Sequence, residues 1–306
     1  MTQRAVIDIG ATWIRGGLVS VDGTVTQRLR IPTPKIGISG VVVTNAVIGI
    51  LEKLLPTTPP GSGVGISSAG PLDLTSGSIA SSPNMVFDRI DLISPLRERF
   101  SRPVSLINDC RAGALAEQAY GAGKDQTDLV YITFSSGIGG GVISGGRLIT
   151  GSTGNGGEIG HLYVDGRYHL VCGCGGTGHF EAYASGNGIP RFYRRFCAEE
   201  GIFIETLPDA DTILSSEEAV PARFRDELAV ICGRGLSGVI AAYDPEIIIL
   251  DGPVVRNHPD FVSAMIGQVD RYLPMPKVVV SPLGGDAPLI GAGVAAFTGR
   301  GLKEDL

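Results

Sequence analysis

Long apolar runs are missing from this chain of 306 residues. No stretch approaches the roughly 20 apolar residues that span a membrane, and Asp8 interrupts the first apolar segment before a signal-peptide core can form. Charge is scarce as well, 18% of residues against about 25% in ordinary soluble domains. The 25 basic and 31 acidic residues give a formal charge of −6 without any basic cluster, which excludes the electrostatic footprint of a nucleic-acid binder. Low-complexity tracts are absent and 43% of residues are apolar, so a disordered chain is excluded. Cysteine is sparse and odd in number: Cys110, Cys172, Cys174, Cys197 and Cys232 fit the reduced thiols of a cytoplasmic protein better than a disulfide framework. Glycine is what the chain has instead. Its 45 glycines are roughly twice the usual ~7% and follow no three-residue period, which excludes collagen and points to tight turns with backbone close to a ligand. At about 150 residues per domain, the length suggests two domains.

The first segment reads as a strand at Ala5 to Ile7, a turn Asp8-Ile9-Gly10-Ala11-Thr12, a second strand near Gly17 to Val21 and a return strand from Thr24. Asp22-Gly23 between them suggests a type I′ hairpin, in which both central residues need positive φ. The plan recurs: a strand Leu129 to Phe134, a turn Ser135-Ser136-Gly137-Ile138-Gly139, a strand Gly141 to Ser144, a Gly145-Gly146 hairpin and a strand Arg147 to Thr150. Aligning the copies sets Thr12 opposite Ser135, and two such copies imply a duplicated architecture of two similar lobes. Val41 to Leu55 have helical spacing, Val64 to Ile66 and Val104 to Ile107 read as strands, and Asn108 or Asp109 is placed to cap a helix from Arg111 to about Tyr120. Helical spacing from Leu228 to Tyr243 stops at Asp244-Pro245, and Ile247 to Leu250 has the unbroken apolar character of a buried parallel strand. A helix near Phe261 to Tyr272, a strand Val278 to Ser281 and a helix near Leu289 to Phe297 complete an α/β pattern.

Three groups of residues carry chemistry. Both Gly-rich turns follow strands, where backbone N–H groups can cradle phosphate, and neither matches a Walker loop or a Rossmann fingerprint. Thr12 adds a hydroxyl, and Asp8 is placed to reach Mg²⁺ through water. Asn108-Asp109 also ends a strand, so Asp109 can take the proton of an acceptor hydroxyl if Asn108 caps the helix. Finally, His161, Cys172, Cys174 and His179 offer a Cys₂His₂ donor set for zinc, with a Cys-x-Cys spacing tighter than usual. His169 lies near enough in sequence to replace either histidine and is read as a surface loop residue.

Together these motifs make the chain resemble the ROK family of sugar kinases, built on the two-lobed actin-like ATPase (ribonuclease H-like) fold with duplicated units. The family's Asp-x-Gly-Gly-Thr turn is matched by Asp8 to Thr12, with Ala11 in place of a glycine. Its Gly-x-x-x-x-Gly segment followed by Asp is matched by Gly65 to Gly70 and Asp73, and its Asn-Asp pair by Asn108-Asp109. Its Gly-Thr-Gly-Ile-Gly turn is matched by Ser135 to Gly139, its Glu-x-Gly-His by Glu158 to His161, and its cysteine knuckle by Cys172 to Glu181, with His179 in the place of the third cysteine.

The resemblance implies ATP- and Mg²⁺-dependent phosphorylation of a free hexose, glucose first, with N-acetylmannosamine or N-acetylglucosamine as alternative acceptors and polyphosphate as an alternative donor. Asp109 is then the general base, and Gly70, Asn108, Asp109, Glu158, His161 and Glu181 bind the sugar. Asp8, Gly10, Ala11, Thr12, Ser136, Gly137, Gly139 and Gly252 belong to the nucleotide site, with adenosine over the helix Gly233 to Gly238 and the turn Asp251-Gly252, where the family usually has two glycines. His161, Cys172, Cys174 and His179 hold a structural zinc. The implied domains are 1–110 with about 290–306, and 111–289 carrying the zinc loop. A cytoplasmic homo-oligomer, dimer or tetramer, acting on small molecules without nucleic acid or membrane, is expected. Sugar-responsive regulators of the same family carry a helix-turn-helix ahead of the first turn, and only seven residues precede Asp8 here.

Overall fold

The computed structural model describes residues 2–83 and 85–299, which form two compact units. The first unit takes the chain up to Asp125, Leu148–Gly157 and the segment from Gly285 onward. The second takes Gln126–Arg147 and Glu158–Gly284. This division differs from the expected one at residues 111–125, 148–157 and 285–289, which belong to the first unit.

In the first unit the chain lays down β1 (Gln3–Ile9), β2 (Trp13–Ser20) and β3 (Val25–Pro32), then α1 (Val41–Leu54) and β4 (Val64–Ser68). A small antiparallel sheet follows, of β5 (Leu72–Asp73), β6 (Ser78–Ala80) and β7 (Arg89–Asp91), then α2 (Ile93–Phe100), β8 (Val104–Asn108) and α3 (Asp109–Tyr120). The main sheet has the order β3-β2-β1-β4-β8, with β1, β4 and β8 parallel. Apolar residues of β1 and β4 pack on one side against Val43, Val47, Ile50, Leu51 and Leu54 of α1. On the other side Val6 and Val19 meet Leu289 and Ala292 of the returning helix Ala287–Thr298. That helix approaches α3 so closely that a Cβ on Gly291 would lie 1.8 Å from the Ala112 carbonyl oxygen, so only glycine fits there.

The second unit repeats the plan with β9 (Leu129–Phe134), β10 (Ile138–Ser144) and β11 (Arg147–Leu148). After the loop that carries His161, Cys172, Cys174 and His179 come α4 (Phe180–Ala184), α5 (Gly188–Glu199), α6 (Ala210–Ser215) and α7 (Ala219–Tyr243), then β12 (Ile247–Asp251), α8 (Pro253–Asn257), α9 (Pro259–Gly267) and β13 (Lys277–Val280). The closing helix of the first unit is α10 (Ala287–Thr298). The second sheet runs β11-β10-β9-β12-β13, the same hairpin-plus-parallel-pair order as the first. The duplicated plan read from the two Gly-rich hairpins is thus present at the level of topology.

Two local expectations are corrected. At Asp22-Gly23 only Gly23 has positive φ (+81°), Gly23 N donates to Ser20 O and Ser20 N donates to Thr24 O. The loop is therefore a type I turn closed by a left-handed glycine bulge, and Asp22 contributes an Asx contact, accepting from Thr24 N at 3.0 Å. At Gly145-Gly146 both φ values are positive, as a type I′ turn requires. The helix expected to reach Tyr272 ends at Gly267. By contrast, α7 ends where Asp244-Pro245 indicates, with Asp244 left-handed at φ 41° and its N–H on the Ile240 carbonyl.

Candidate active site and metal centre

In the first unit, parallel register puts three strand ends at one level: Ile9 pairs with Ser68, and Ser68 with Asn108. The turn Gly10-Ala11-Thr12, the residues Ala69-Gly70 and the carboxylate-bearing Asp109 all begin from this edge, where open α/β sheets bind ligands. Gly10 N donates to Trp13 O to close the first turn, and Thr33 Oγ1 buttresses it by donating to Gly10 O at 2.7 Å. Asp8 is buried, and its carboxylate has specific partners: Arg15 Nη2 lies 2.6 Å from Oδ2, and Ser67 Oγ donates to Oδ1 at 2.8 Å. Arg15 also donates to the Gly285 carbonyl. Neither Arg15 nor Ser67 stands out in the sequence. Arg15 is nonetheless the cross-strand partner of Asp8, the position where an opposite charge is most effective.

Asn108 is the N-cap of α3. Its Oδ1 accepts from the backbone N–H of Cys110 at 3.0 Å and Arg111 at 3.2 Å, while its Nδ2 donates to Asp109 Oδ1 at 3.0 Å. Asp109 Oδ1 also accepts from Cys110 N at 2.8 Å. The carboxylate thus stands in the first turn of the helix, on the favourable side of its dipole. Gly70 lies against this pair, since a Cβ there would come 3.3 Å from Asn108 Nδ2.

In the second unit the turn Ser135–Gly137 links β9 to β10, with Ser135 N bonded to Gly137 O and Ser136 exposed. Glu181 belongs to this turn as much as to the Cys172–His179 loop. Its Oε2 accepts from Ile138 N at 3.0 Å, and the Cys172 thiol lies 3.7 Å from its Oε1.

His161, Cys172, Cys174 and His179 converge so that one donor atom from each lies within 4.8 Å of all the others. Nδ1 of His161 is 3.4 Å from Nδ1 of His179, and Cys172 Sγ is 3.8 Å from the former as Cys174 Sγ is 3.3 Å from the latter. Zinc bonds of about 2.0–2.1 Å to nitrogen and 2.3 Å to sulfur require tetrahedral edges of roughly 3.3–3.8 Å; these three separations lie in that range, and the 4.8 Å that bounds the whole set exceeds it by about 1 Å. Cys172 N bonds Gly176 O and Gly175 N bonds Cys172 O, a tight knuckle that explains how Cys-x-Cys spacing can still bring both thiols to one point. Burial pushes the Cys172 thiol up to about 11, opposed by the backbone N–H of Cys174 and reinforced by the Cys174 side chain and the Glu181 carboxylate. His161 turns Nδ1 to the cluster, and its Nε2 lies 3.9 Å from Glu158 Oε2, so its two ring nitrogens face different partners. His169 is exposed and outside the cluster.

The helix and turn expected to carry adenosine are closely packed from within. A Cβ on Gly233 would strike Gln268, and one on Gly235 would strike the Phe180 ring, so both glycines serve helix packing. Gly252 has φ +99° and sits on the Phe134 backbone. Asp251 is buried, accepting from Tyr131 Oη at 2.7 Å and Gly252 N at 2.7 Å and pairing with Arg256. Tyr131 and Arg256 were not singled out by sequence, because Tyr131 belongs to a distant strand and Arg256 to a short helix without a motif.

Among the described residues no helix is long and apolar enough to cross a membrane. The ROK family model matches residues 4–298. A glucokinase of Pyrobaculum calidifontis is 34% identical over 301 residues, covering 97% of this chain and 96% of that protein. A ROK hexokinase from Thermus thermophilus superposes with a TM-score of 0.83 at 31% identity, over 97% of this chain and 99% of that one. A ROK family glucokinase from Streptomyces griseus, crystallised with glucose and AMPPNP, gives a TM-score of 0.81 at 26% identity over 97% and 99%.

Proposed function

Because the chain belongs to the ROK family, we propose that it transfers the γ-phosphoryl group of ATP to the 6-hydroxyl of a free hexose, with glucose as the first acceptor. It is a sugar kinase on the actin-like ATPase fold. The observation that carries the mechanism is the Asn108–Asp109 pair at the carboxyl edge of the first sheet.

Asp109 takes the proton of the attacking hydroxyl, and Asn108 and the Cys110 N–H fix the oxygen they share while the carboxylate works. Phosphoryl transfer asks the protein for positioning and charge stabilisation more than covalent help. Gly70, Asn108, Glu158, His161 and Glu181 bind sugar hydroxyls, His161 through Nε2 because Nδ1 faces the metal centre. Asp8, the turn Gly10-Ala11-Thr12, the turn residues Ser136, Gly137 and Gly139, and Gly252 serve the nucleotide. Mg²⁺ carried with ATP neutralises charge on the phosphates. His161, Cys172, Cys174 and His179 hold a structural zinc that fixes the loop bearing Glu158 and Glu181. The working form is a cytoplasmic homo-oligomer, a dimer or tetramer that light scattering would detect.

A coupled assay over hexoses, N-acetylhexosamines, ATP and polyphosphate tests the reading. Glucose with Mg·ATP should be turned over, and Asp109→Asn should not support it. Preferred turnover of N-acetylmannosamine or N-acetylglucosamine would move the acceptor to that class, and no phosphorylation of any sugar would overturn the assignment.

A further inference from the structure

The segment beginning at the proposed metal ligand His179 holds the turn Ser135–Ile138 at two points and the end of β9 just before it at a third. Phe180 sets its ring edge-on to Phe134, with centroids 5.7 Å apart and planes at 85°. Glu181 Oε2 accepts from Ile138 N at 3.0 Å, and Gly186 N donates to the Ser135 carbonyl at 2.7 Å. A fourth contact comes from the other side of the cluster. Gly160, which precedes the ligand His161, lies so near Ile138 that a Cβ would be 2.0 Å from its carbonyl oxygen. Glu181 touches both parts, since its second oxygen lies 3.7 Å from Cys172 Sγ.

We propose that Glu181 is a positioning residue through which the Cys/His centre and the nucleotide turn stabilise one another, so that metal and nucleotide bind with positive coupling. The proposal rests on the functional reading above, in which the turn takes nucleotide phosphates and the four donors hold zinc. A loop of small residues is costly to order around an anion, and whichever ligand orders the segment 179–186 first lowers that cost for the other. Coupling of this kind is reciprocal: the factor by which zinc tightens nucleotide binding equals the factor by which nucleotide tightens zinc. Sugar plays no part in it, which separates it from the sugar-binding role of Glu181.

The test omits sugar throughout. Mg·AMPPNP is titrated calorimetrically into zinc-loaded and chelator-stripped protein, and the equilibrium partition of zinc between protein and a competing chelator is measured with and without saturating Mg·AMPPNP. The second measurement starts from intact protein and needs no stripped sample. Both should show the same factor, about 5- to 100-fold, within the usual range of allosteric coupling. Glu181→Ala should bring both factors close to one, while Glu181→Gln, which keeps an acceptor for Ile138 N, should retain most of the effect. Equal nucleotide affinity with and without zinc, or full coupling in Glu181→Ala, would overturn the proposal. If zinc-loaded wild type fails to bind Mg·AMPPNP at all, the functional reading falls and the coupling with it.

Discussion

Asn108 both caps α3 and restrains its neighbour: Oδ1 accepts from the N–H groups of Cys110 and Arg111 while Nδ2 donates to Asp109 Oδ1 at 3.0 Å. Asn108→Ala removes both functions at once. It should cost about 1 kcal/mol of stability, the usual value of an N-cap, and lower kcat because the carboxylate loses its orienting donor. Denaturant unfolding and steady-state kinetics would check the two effects separately. Unchanged kcat would mean that the backbone N–H of Cys110 suffices to hold Asp109.

Asp109→Asn keeps the size and hydrogen-bonding capacity of the side chain but cannot accept the proton. Turnover should fall by about 10²–10⁴-fold, with sugar affinity changed only modestly. Calorimetric sugar binding beside rate measurements decides the point. A variant keeping more than about a tenth of wild-type turnover would reduce Asp109 to a helix-end residue.

Purified protein should carry one zinc per chain. His179→Cys should keep it, because the site retains four donors, and His179→Ala should lose much of it with a drop in melting temperature. His169→Ala should have no effect on metal content. Elemental analysis of the wild type and the three variants is the measurement, and loss of zinc on removing His169 would contradict the donor set described here.

Gly252→Ala tests the join between β9 and β12. The backbone at φ +99° and ψ 160° is a region used almost solely by glycine, and the new Cβ would lie 2.2 Å from the Phe134 carbonyl oxygen. Strain alone should cost about 1–3 kcal/mol, and the collision adds to it. Thermal unfolding should show the loss, and an unshifted midpoint would mean that the turn relaxes freely.

The sequence has one tryptophan, Trp13, directly after Thr12, with the Arg30 guanidinium 3.7 Å from its ring centroid. Its emission should respond saturably to Mg·AMPPNP with the affinity measured calorimetrically. A silent Trp13 would detach the first turn from nucleotide binding.

The elements legible in the sequence were those with a long or repeated signal. The unbroken run Ile247 to Leu250 became the doubly parallel β12, and two glycine-rich hairpins became two sheets of the same order. The asparagine cap and the Cys/His donor set were legible because few local arrangements use those residue types at such spacing. The sheet β5-β6-β7 escaped, since strands of two or three residues show no alternation. Type I′ geometry at Asp22-Gly23 was read from residue preference alone, and the three-residue loop won because Val21 also lies between the paired ends. Glu181's bond to Ile138 N spans 43 residues, a relation that only tertiary folding creates.

The Asp251 carboxylate is 3% exposed, whereas the Arg256 side chain is 31% exposed. This asymmetry makes the loss of one partner unlike the loss of the other. If Asp251 mutates first, the arginine can swing into water, and Tyr131 loses one hydrogen bond. If Arg256 is lost first, a buried anion keeps only Tyr131 and one backbone N–H, a much poorer compensation. Removing the base is therefore the costlier of the two single changes, because it is the acid that water cannot reach.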